Sequence, residues 1–407
     1  MKNSVLFISI MMFVSLFMCT RDFSVIPGEN MDRELTLLEK ELSTSSSEFG
    51  FEIFKEVFTA QLDSNIFISP LSISLALGMT FNGAEGETET AMRTTLGYGN
   101  LTDEQINKNY ASLVHLLTNR DEHVQMDIAN SIWIREGFPV QEDFIDVNKK
   151  YFYAEVDNLN FSSSEAVEII NNWVFQNTNG KIEKIVNKID PLVVMYLINA
   201  IYFKAFWQYP FDPEQTSENW FIKQNGDSVL CPFMQQDGNF QYLETEQFRA
   251  VDLAYGQGNF SMSLLMPNSG YKISDIITGL DRNEWNTLVD QFSPVTMILK
   301  IPKFTLEYKI NLNEVLKSLG MGIAFDEFRA DFSDINPDYQ LYISNVLHKS
   351  FIQVDEKGTE AAAVTSVEVS LTSVPMTVSF NRPFLFVIRE RESNTVLFMG
   401  VLHEPEL

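Results

Sequence analysis

The chain has 407 residues, of which 55 are acidic and 29 are basic, and its formal net charge at pH 7 is −26. Such a charge repels nucleic acid and anionic membrane surfaces, and no local cluster of Lys and Arg offsets it. A hydrophobic fraction of 45% is enough for a large core, so intrinsic disorder is excluded for most of the chain. We interpret the charge as a source of solubility in an extracytoplasmic space.

The N-terminal residues are predicted to be a targeting segment and not part of the fold. The apolar run Val5–Met18 suits the hydrophobic part of a signal peptide and is short for a transmembrane helix. It is followed by Cys19, which resembles the acylated cysteine of a bacterial lipoprotein. We therefore predict a signal peptide over 1–19 and a flexible polar tether over 20–44. The protein is expected to be secreted or lipid-anchored at the cell surface.

The globular part is predicted to begin at Ser45, because Ser45–Glu48 has the Ser-x-x-Glu form of a capping box. A second helix is predicted from about Ser69 and is apolar on almost every side, which is typical of a helix buried inside a protein. Further elements follow from the spacing of apolar residues and from runs of β-branched and aromatic residues. Helices are expected at 111–117 and 165–177, and strands at 126–134, 193–203, 260–266, 295–304, 384–388 and 395–402.

Helices are concentrated early in the chain and strands late, without a regular β-α-β alternation. This order favours an α+β fold over a doubly wound parallel sheet. After residue 50 no segment rich in Pro, Gly or Ser interrupts the chain, so we predict one domain over 45–407.

Signatures of the common enzyme classes are absent from the sequence. It contains no Gly-x-Ser-x-Gly, His-Glu-x-x-His or Cys-x-x-Cys motif and no P-loop. Carboxylates are so abundant that no particular pair stands out as a catalytic acid and base. We predict that the protein is not an enzyme and that it uses no metal or cofactor.

The most informative segment is 352–369, whose residues fall into two alternating sets. One set contains the two glutamates Glu360 and Glu368. Alternation is typical of a strand with one face toward a core and one toward water, yet three consecutive alanines are weak strand formers. A segment that can form a strand, but does not have to, is suited to a conformational switch. The alternative interpretations of this segment are a short helix and an ordinary loop. The other of the two alternating sets is uncharged, with small residues first and β-branched residues later: Thr359, Ala361, Ala363, Thr365, Val367 and Val369.

Several motifs, in one order along the chain, resemble the serpin family of protease inhibitors from residue 45 onward. They match the family's second helix, its central strand, its hinge and its C-terminal signature, and lie at 65–73, 199–207, 355–363, and 381–386 with 397–400. The resemblance implies the serpin fold, which has a large, mostly antiparallel central sheet, further sheets and about eight or nine helices. It also implies an exposed reactive-centre loop, here Glu356 to Phe380.

Membership of this family implies a one-use inhibitor. The target protease attacks the loop and forms an acyl-enzyme, and the freed loop then enters the main sheet as an extra strand, as is established for serpins. The protease is deformed before water can hydrolyse the ester, and the protease supplies all the acid–base chemistry. Insertion requires small or uncharged side chains at alternate hinge positions, because a charge inside the sheet is costly. The resemblance assigns the hinge to Glu356, Gly358, Thr359, Glu360, Ala361, Ala362, Ala363 and Thr365.

The resemblance also assigns roles outside the loop. One group resembles the family's shutter, a polar cluster beneath the strands that separate during insertion. Another resembles the breach, at the top of the sheet where insertion begins, with Lys303 and Glu356 expected to form an exposed ion pair. The shutter residues are Ser69, Ser72, Asn199 and His348, and the breach residues are Trp207, Lys303 and Glu356.

The family's register places the scissile bond between Thr372 and Ser373, with Leu371 as the alternative residue before the cut. A small β-branched residue at Thr372 suits an elastase-like protease, whereas cleavage after Leu371 would suit a chymotrypsin-like or cathepsin-like one. No Arg or Lys occurs in 358–381, which disfavours trypsin-like targets.

The expected partner is therefore one target endopeptidase, bound by a monomer. We expect no nucleic acid, no polyanion activator, and membrane contact only through a lipid anchor. The alternative functions are a non-inhibitory binding protein or chaperone on the same fold, or an inhibitor of cysteine proteases.

Overall fold

The computed structural model of the chain describes residues 34–190, 192–359 and 376–406. The chain divides into two units, Met1–Arg33 and Glu34–Leu407, and the structure below is that of the second. The predicted signal peptide with Cys19, most of the predicted hinge and the predicted scissile bond lie outside the described residues. Those hinge and cleavage residues are Glu360, Ala361, Ala362, Ala363, Thr365, Leu371, Thr372 and Ser373.

Helices make up most of the described chain up to residue 177, as the early helical patterns predicted. None of the helices in the described ranges is both long and apolar enough to cross a membrane. The α-helices are α1 Leu37–Ala60, α2 Pro70–Phe81, α3 Gly86–Thr95, α4 Asp103–Asn119, α5 Glu142–Phe152, α6 Ser164–Asn177, α7 Ile273–Gly279, α8 Arg282–Asp290 and α9 Asn313–Leu316.

The start of α2 lies where the sequence predicts it. Ser69 is the N-cap, and its side chain accepts a hydrogen bond from the backbone N–H of Ser72. Pro70 occupies the first helical position, where its missing N–H costs no hydrogen bond. The helix is buried along almost its whole length, in agreement with its apolar sequence.

The start of α1 differs from the prediction. The helix begins at Leu37, with Thr36 and Glu39 forming a reciprocal capping box at 3.2 and 2.6 Å. Ser45 and its neighbours lie inside the helix, where the hydroxyl of Ser45 donates to the carbonyl of Gly97. A Ser-x-x-Glu pattern caps a helix only where the preceding backbone is extended. The capping box predicted at Ser45–Glu48 is therefore wrong, since the helix is capped at Thr36.

The strands occupy the predicted apolar segments and several others. The run predicted at 295–304 forms two strands that are separated at Lys303. The strands are β1 Ile66–Ile68, β2 Val124–Arg135, β3 Glu155–Leu159, β4 Met195–Phe206, β5 Ser217–Ile222, β6 Ser228–Glu244, β7 Phe248–Tyr255, β8 Phe260–Pro267, β9 Ser293–Pro302, β10 Phe304–Asn311, β11 Leu347–Asp355, β12 Gly358–Thr359, β13 Met376–Ser379, β14 Phe384–Glu390 and β15 Val396–Leu402.

These strands form two sheets within the described residues. One sheet has nine strands in the order β1-β15-β14-β8-β7-β6-β9-β13, with β5 paired to β6. The other has six strands in the order β10-β11-β12-β4-β2-β3. The pairings are antiparallel except for β2 with β3 and β9 with β13. Helices on a mostly antiparallel sheet make an α+β fold, as predicted.

The core lies between the two sheets and extends to α1 and α2. Every residue of β14 and β15 is buried, which explains why Phe384–Ile388 and Val396–Leu402 are continuously apolar instead of alternating. The six-stranded sheet is different, because residues of β4 from Met195 to Leu197 are only half-buried although the strand lies inside the sheet. Half-buried side chains on an interior strand indicate that the sheet is incompletely packed beside this part of β4.

Candidate functional site

The predicted hinge enters the six-stranded sheet as β12. Thr359 is the register partner of Val354 on β11 and of Ala205 on β4, so β12 lies between these two strands. The Thr359 side chain is buried, with 2% of its surface exposed. The alternation in the sequence assigns Thr359 to the core-facing set, and the structure places it on that face.

Gly358 has a backbone that other residues tolerate poorly. Its φ is +148°, and a Cβ built on it would lie 2.1 Å from the carbonyl oxygen of Ala205 and 2.8 Å from the Cα of Phe206. Glycine is therefore required for β12 to approach β4 this closely.

Below Thr359, the facing edges of β4 and β11 have no strand between them in the described chain. β4 pairs on its other side with β2, and β11 pairs with β10. A cavity of about 10 Å³ directly beneath Thr359 is lined by 201–203 and 351–353. Farther down, a cavity of about 320 Å³ is lined by 195–199 and 347–348 among other residues. We call this space between β4 and β11 the slot.

The predicted breach residues meet around the turn between β11 and β12. Lys303 Nζ donates to Glu356 Oε2 at 2.8 Å, and Thr216 Oγ1 donates to Glu356 Oε1 at 2.8 Å. Burial raises the pKa of Glu356, but the hydrogen bonds from Lys303 and Thr216 outweigh burial and hold that pKa below its usual value. The side chains of Lys303 and Glu356 are only 31% and 10% exposed. The pair is therefore partly buried and not exposed as expected. The backbone carbonyl of Glu356 also accepts a hydrogen bond from the N–H of Phe211 at 2.7 Å.

Trp207 fixes the same turn from the end of β4. Its indole Nε1 donates to the carbonyl of Asp355 at 3.0 Å, and its backbone N–H donates to that of Lys357 at 2.9 Å. The indole is stacked on the ring of Tyr255, with centroids 4.4 Å apart and planes at 9°. The Tyr255 hydroxyl lies 2.8 Å from Thr359 Oγ1. Sequence reasoning missed Tyr255 and Thr216, which no local motif marks.

The four predicted shutter residues form one hydrogen-bonded cluster beside the slot. The backbone N–H of Ser69 donates to His348 Nε2 at 3.1 Å, and the Ser72 hydroxyl donates to Asn199 Oδ1. Burial lowers the pKa of His348 to about 4, so the imidazole is neutral at physiological pH and can accept at Nε2. Asn199 Nδ2 donates to Asn130 Oδ1 at 2.7 Å. Sequence reasoning missed Asn130, which lies on the neighbouring strand β2.

The cluster connects the two edges of the slot without joining them directly. His348 on β11 and Asn199 on β4 both bind the N-terminal turn of α2, through Ser69 and Ser72. The two strands are therefore connected at this point through the end of α2 and not by a direct hydrogen bond between His348 and Asn199.

No group of three or more His, Cys, Asp or Glu residues in the part of the chain that the structure describes has the arrangement needed to hold a metal ion. Cys231 is buried, and burial raises its pKa to about 11, which keeps the thiol protonated.

Comparison with known proteins identifies the architecture. The model of the serpin (serine protease inhibitor) family matches residues 44–405. Human Serpin B11 is 33% identical over 390 residues, which cover 89% of this chain and 99% of that protein.

Two crystal structures show the same fold. The thermophilic serpin tengpin in its native state gives a TM-score of 0.81 at 36% identity, covering 91% of this chain and 95% of tengpin. Human thyroxine-binding globulin gives a TM-score of 0.84 at 28% identity, covering 91% of this chain and all of that one (100%). The family match and these relatives extend over almost the whole described chain, including the slot and the shutter. The chain therefore belongs to the serpin family of protease inhibitors.

Proposed function

We propose that the protein is an irreversible suicide-substrate inhibitor of serine endopeptidases. The observation that supports this most directly is β12, because the first hinge residues already occupy the top of the slot. The protease serine would attack the carbonyl before the scissile bond, and the peptide C–N bond would break as the protease histidine protonates the leaving amine. The loop, now bound to the protease through an ester, would then continue β12 down the slot.

The register of β12 predicts where each later residue would lie. Since β12 is antiparallel to both neighbours, each step along the loop moves one step back along β4 and β11. Thr365, six residues after Thr359, would lie between Asn199 and His348, whose polar cluster could bind its hydroxyl. Glu360 would lie beside Lys204 on the opposite face, where the two charges attract.

The β4 side of the slot is long enough for the small-residue segment. Continuing the register brings residue 369 opposite Met195, where β4 begins. Ten added strand residues at about 3.3 Å each would carry the acylated end roughly 33 Å along the sheet. Residues Ala361, Ala363 and Thr365 would face Phe203, Ile201 and Asn199, and uncharged side chains there avoid a desolvation cost of several kcal/mol.

We assign the target to the elastase-like class, with the cut between Thr372 and Ser373. The small β-branched Thr372 supports a protease pocket that takes small residues, and the absence of Arg and Lys from 358–381 disfavours trypsin-like targets. Cleavage after Leu371 would redirect the inhibitor to chymotrypsin-like proteases. Residues 1–19 are proposed as a signal peptide and Cys19 as a lipid anchor, which would place the inhibitor outside the cytoplasm.

A non-inhibitory binding protein is the competing function. It is supported by the high structural similarity to thyroxine-binding globulin, a binding protein by name. The hinge argues against it, because small uncharged residues at alternate positions are needed only for insertion. The two functions differ in the fate of the loop after it is cut, since only an inhibitor inserts it into the sheet.

The test is incubation of the purified protein with pancreatic elastase and with chymotrypsin. An inhibitor gives an SDS-stable complex, and mass spectrometry of the released C-terminal fragment locates the cut. Thr359→Arg would place a charge in the buried first position of the slot, so we expect this variant to be cleaved without trapping. A wild-type chain that is only cleaved by both proteases, with no gain in thermal stability, would refute the inhibitor proposal in favour of a binding protein.

A further inference from the structure

We propose that Tyr255 is a positioning residue that sets the register of loop insertion by holding Thr359 at the top of the slot. This inference rests on the proposed function. The contact is a hydrogen bond between the Tyr255 and Thr359 hydroxyls, 2.8 Å apart. Both residues are buried, so the bond is made away from solvent.

The position of the Tyr255 hydroxyl is determined before the loop moves. The ring is stacked on Trp207 and contacts Phe203 edge to face, with centroids 5.6 Å apart. The backbone on either side is bound to the end of β4, because Gly256 N–H donates to the carbonyl of Phe206 and Gln208 N–H to that of Ala254, both at 2.8 Å. The hydroxyl therefore moves with β4, one wall of the slot.

Withdrawal of Thr359 from the sheet would leave the Tyr255 hydroxyl without its partner. Burial raises the pKa of Tyr255 well above its usual value, so the group stays a neutral hydroxyl that needs a hydrogen bond. An unsatisfied buried hydroxyl is costly, and the cost favours the seated hinge.

Seating Thr359 decides which residues face the core. Side chains alternate along a strand, so a slip of one residue moves the whole set to the other face. With Thr359 at the first position, the inward residues are uncharged. With a slip of one residue, Glu360 and Glu368 would point toward the core instead. The Tyr255 hydroxyl holds Thr359 in this buried first position. A slip would replace that hydroxyl with the carboxylate of Glu360, whose charge is costly to bury.

The experiment measures insertion without requiring a trapped protease. Thermolysin is a metalloprotease that forms no acyl-enzyme, so it cuts the loop and releases it. The rate at which the cut chain gains resistance to heat then reports insertion. Tyr255→Phe and Thr359→Val each remove one hydroxyl, and we expect each to slow insertion about tenfold, as loss of one buried hydrogen bond does.

Two further variants separate positioning from packing. Thr359→Ser keeps the hydroxyl and should insert at nearly the wild-type rate. The double variant of Tyr255→Phe with Thr359→Val should be no slower than either single variant, because both remove the same bond. Tyr308→Phe is the matched control, because it removes the hydroxyl of another buried tyrosine, on β10, which donates to Gln61 and does not contact the hinge.

The outcomes separate this inference from the proposed function. If Tyr255→Phe and Thr359→Val insert as fast as the wild type, or if their effects add, Tyr255 contributes only packing and the inference is overturned. The inhibitor proposal would survive that result. If the cut wild-type chain gains no heat resistance, insertion itself does not occur and both proposals fail. Should Tyr255→Phe not fold, the comparison of Thr359→Val with Thr359→Ser decides the question.

Discussion

His348 on β11 accepts a hydrogen bond at Nε2 from the backbone N–H of Ser69, the N-cap of α2, at 3.1 Å. This bond requires an unprotonated Nε2. Protonation would turn an N–H toward an N–H and place a charge beside the slot, where burial already lowers the pKa of His348 to about 4. The shutter is therefore held together by a neutral histidine.

The first prediction is a loss of stability in mild acid that depends on His348. Its pKa is about 4 in the folded chain and has a reference value of 6.5, so the unfolded chain binds more protons between these values. The neutral His348 contributes fully to the free energy of unfolding above about pH 6.5. This contribution, roughly 3 kcal/mol at most, is lost as the pH falls toward 4. Urea unfolding of the wild type and of His348→Gln at pH 7 and pH 4.5 should show a smaller loss in the variant. Substitution of the exposed His123 is the control, and equal losses in all three proteins would contradict the prediction.

The second prediction concerns the ion pair between Lys303 and Glu356. Because the carboxylate is mostly buried and also accepts from Thr216, we expect a double-mutant cycle with Lys303→Met and Glu356→Gln to give a coupling of about 1 kcal/mol. The exposed pair Glu314–Lys317 should give almost none. The measurement is the free energy of unfolding of the uncut chain. Comparable couplings for the two pairs would show that burial of Glu356 does not matter.

The third prediction separates backbone strain from steric overlap at Gly358. Gly226 also has a positive φ, +90°, but an added Cβ there meets nothing within 4 Å. Gly226→Ala should therefore cost only the strain, about 1 kcal/mol, whereas Gly358→Ala adds the overlap with Ala205 and should cost about 2 kcal/mol more. We expect Gly358→Ala to expel β12 and to change the fluorescence of Trp207. Equal costs at the two glycines would mean that β12 does not require close approach to β4.

The fourth prediction tests Asn130, which connects β2 to the shutter. Its Nδ2 donates to the carbonyl of Phe152 and its Oδ1 accepts from Asn199, both at 2.7 Å. Asn130→Ala leaves the buried carbonyl of Phe152 and the half-buried Nδ2 of Asn199 without this partner, so we expect a loss of about 2–4 kcal/mol in the free energy of unfolding. Asn345→Ala, which removes an exposed hydrogen bond to Asn311, should cost much less. A result in which the two variants lose equal stability would exclude Asn130 from the network.

Sequence patterns determined the parts of this protein that depend on neighbours along the chain. The N-cap Ser69 and the apolar run that follows it predicted a buried helix, and the structure contains it. The alternation that begins at Thr359 assigned that side chain to the core-facing set, and Thr359 is buried in the structure. The family motifs predicted the fold, because each motif is a short contiguous stretch whose residue types are each required locally.

Only the tertiary structure decided how the hinge is held. Tyr255, Thr216 and Asn130 bind residues that are far away in the sequence, and no local pattern marks such a residue. The start of α1 at Leu37 was likewise decided by the extended backbone of Thr36, which a Ser-x-x-Glu pattern cannot report. The slot itself exists because β4 and β11 are both paired on their outer sides and not to each other, and strand pairing is a property of the whole sheet.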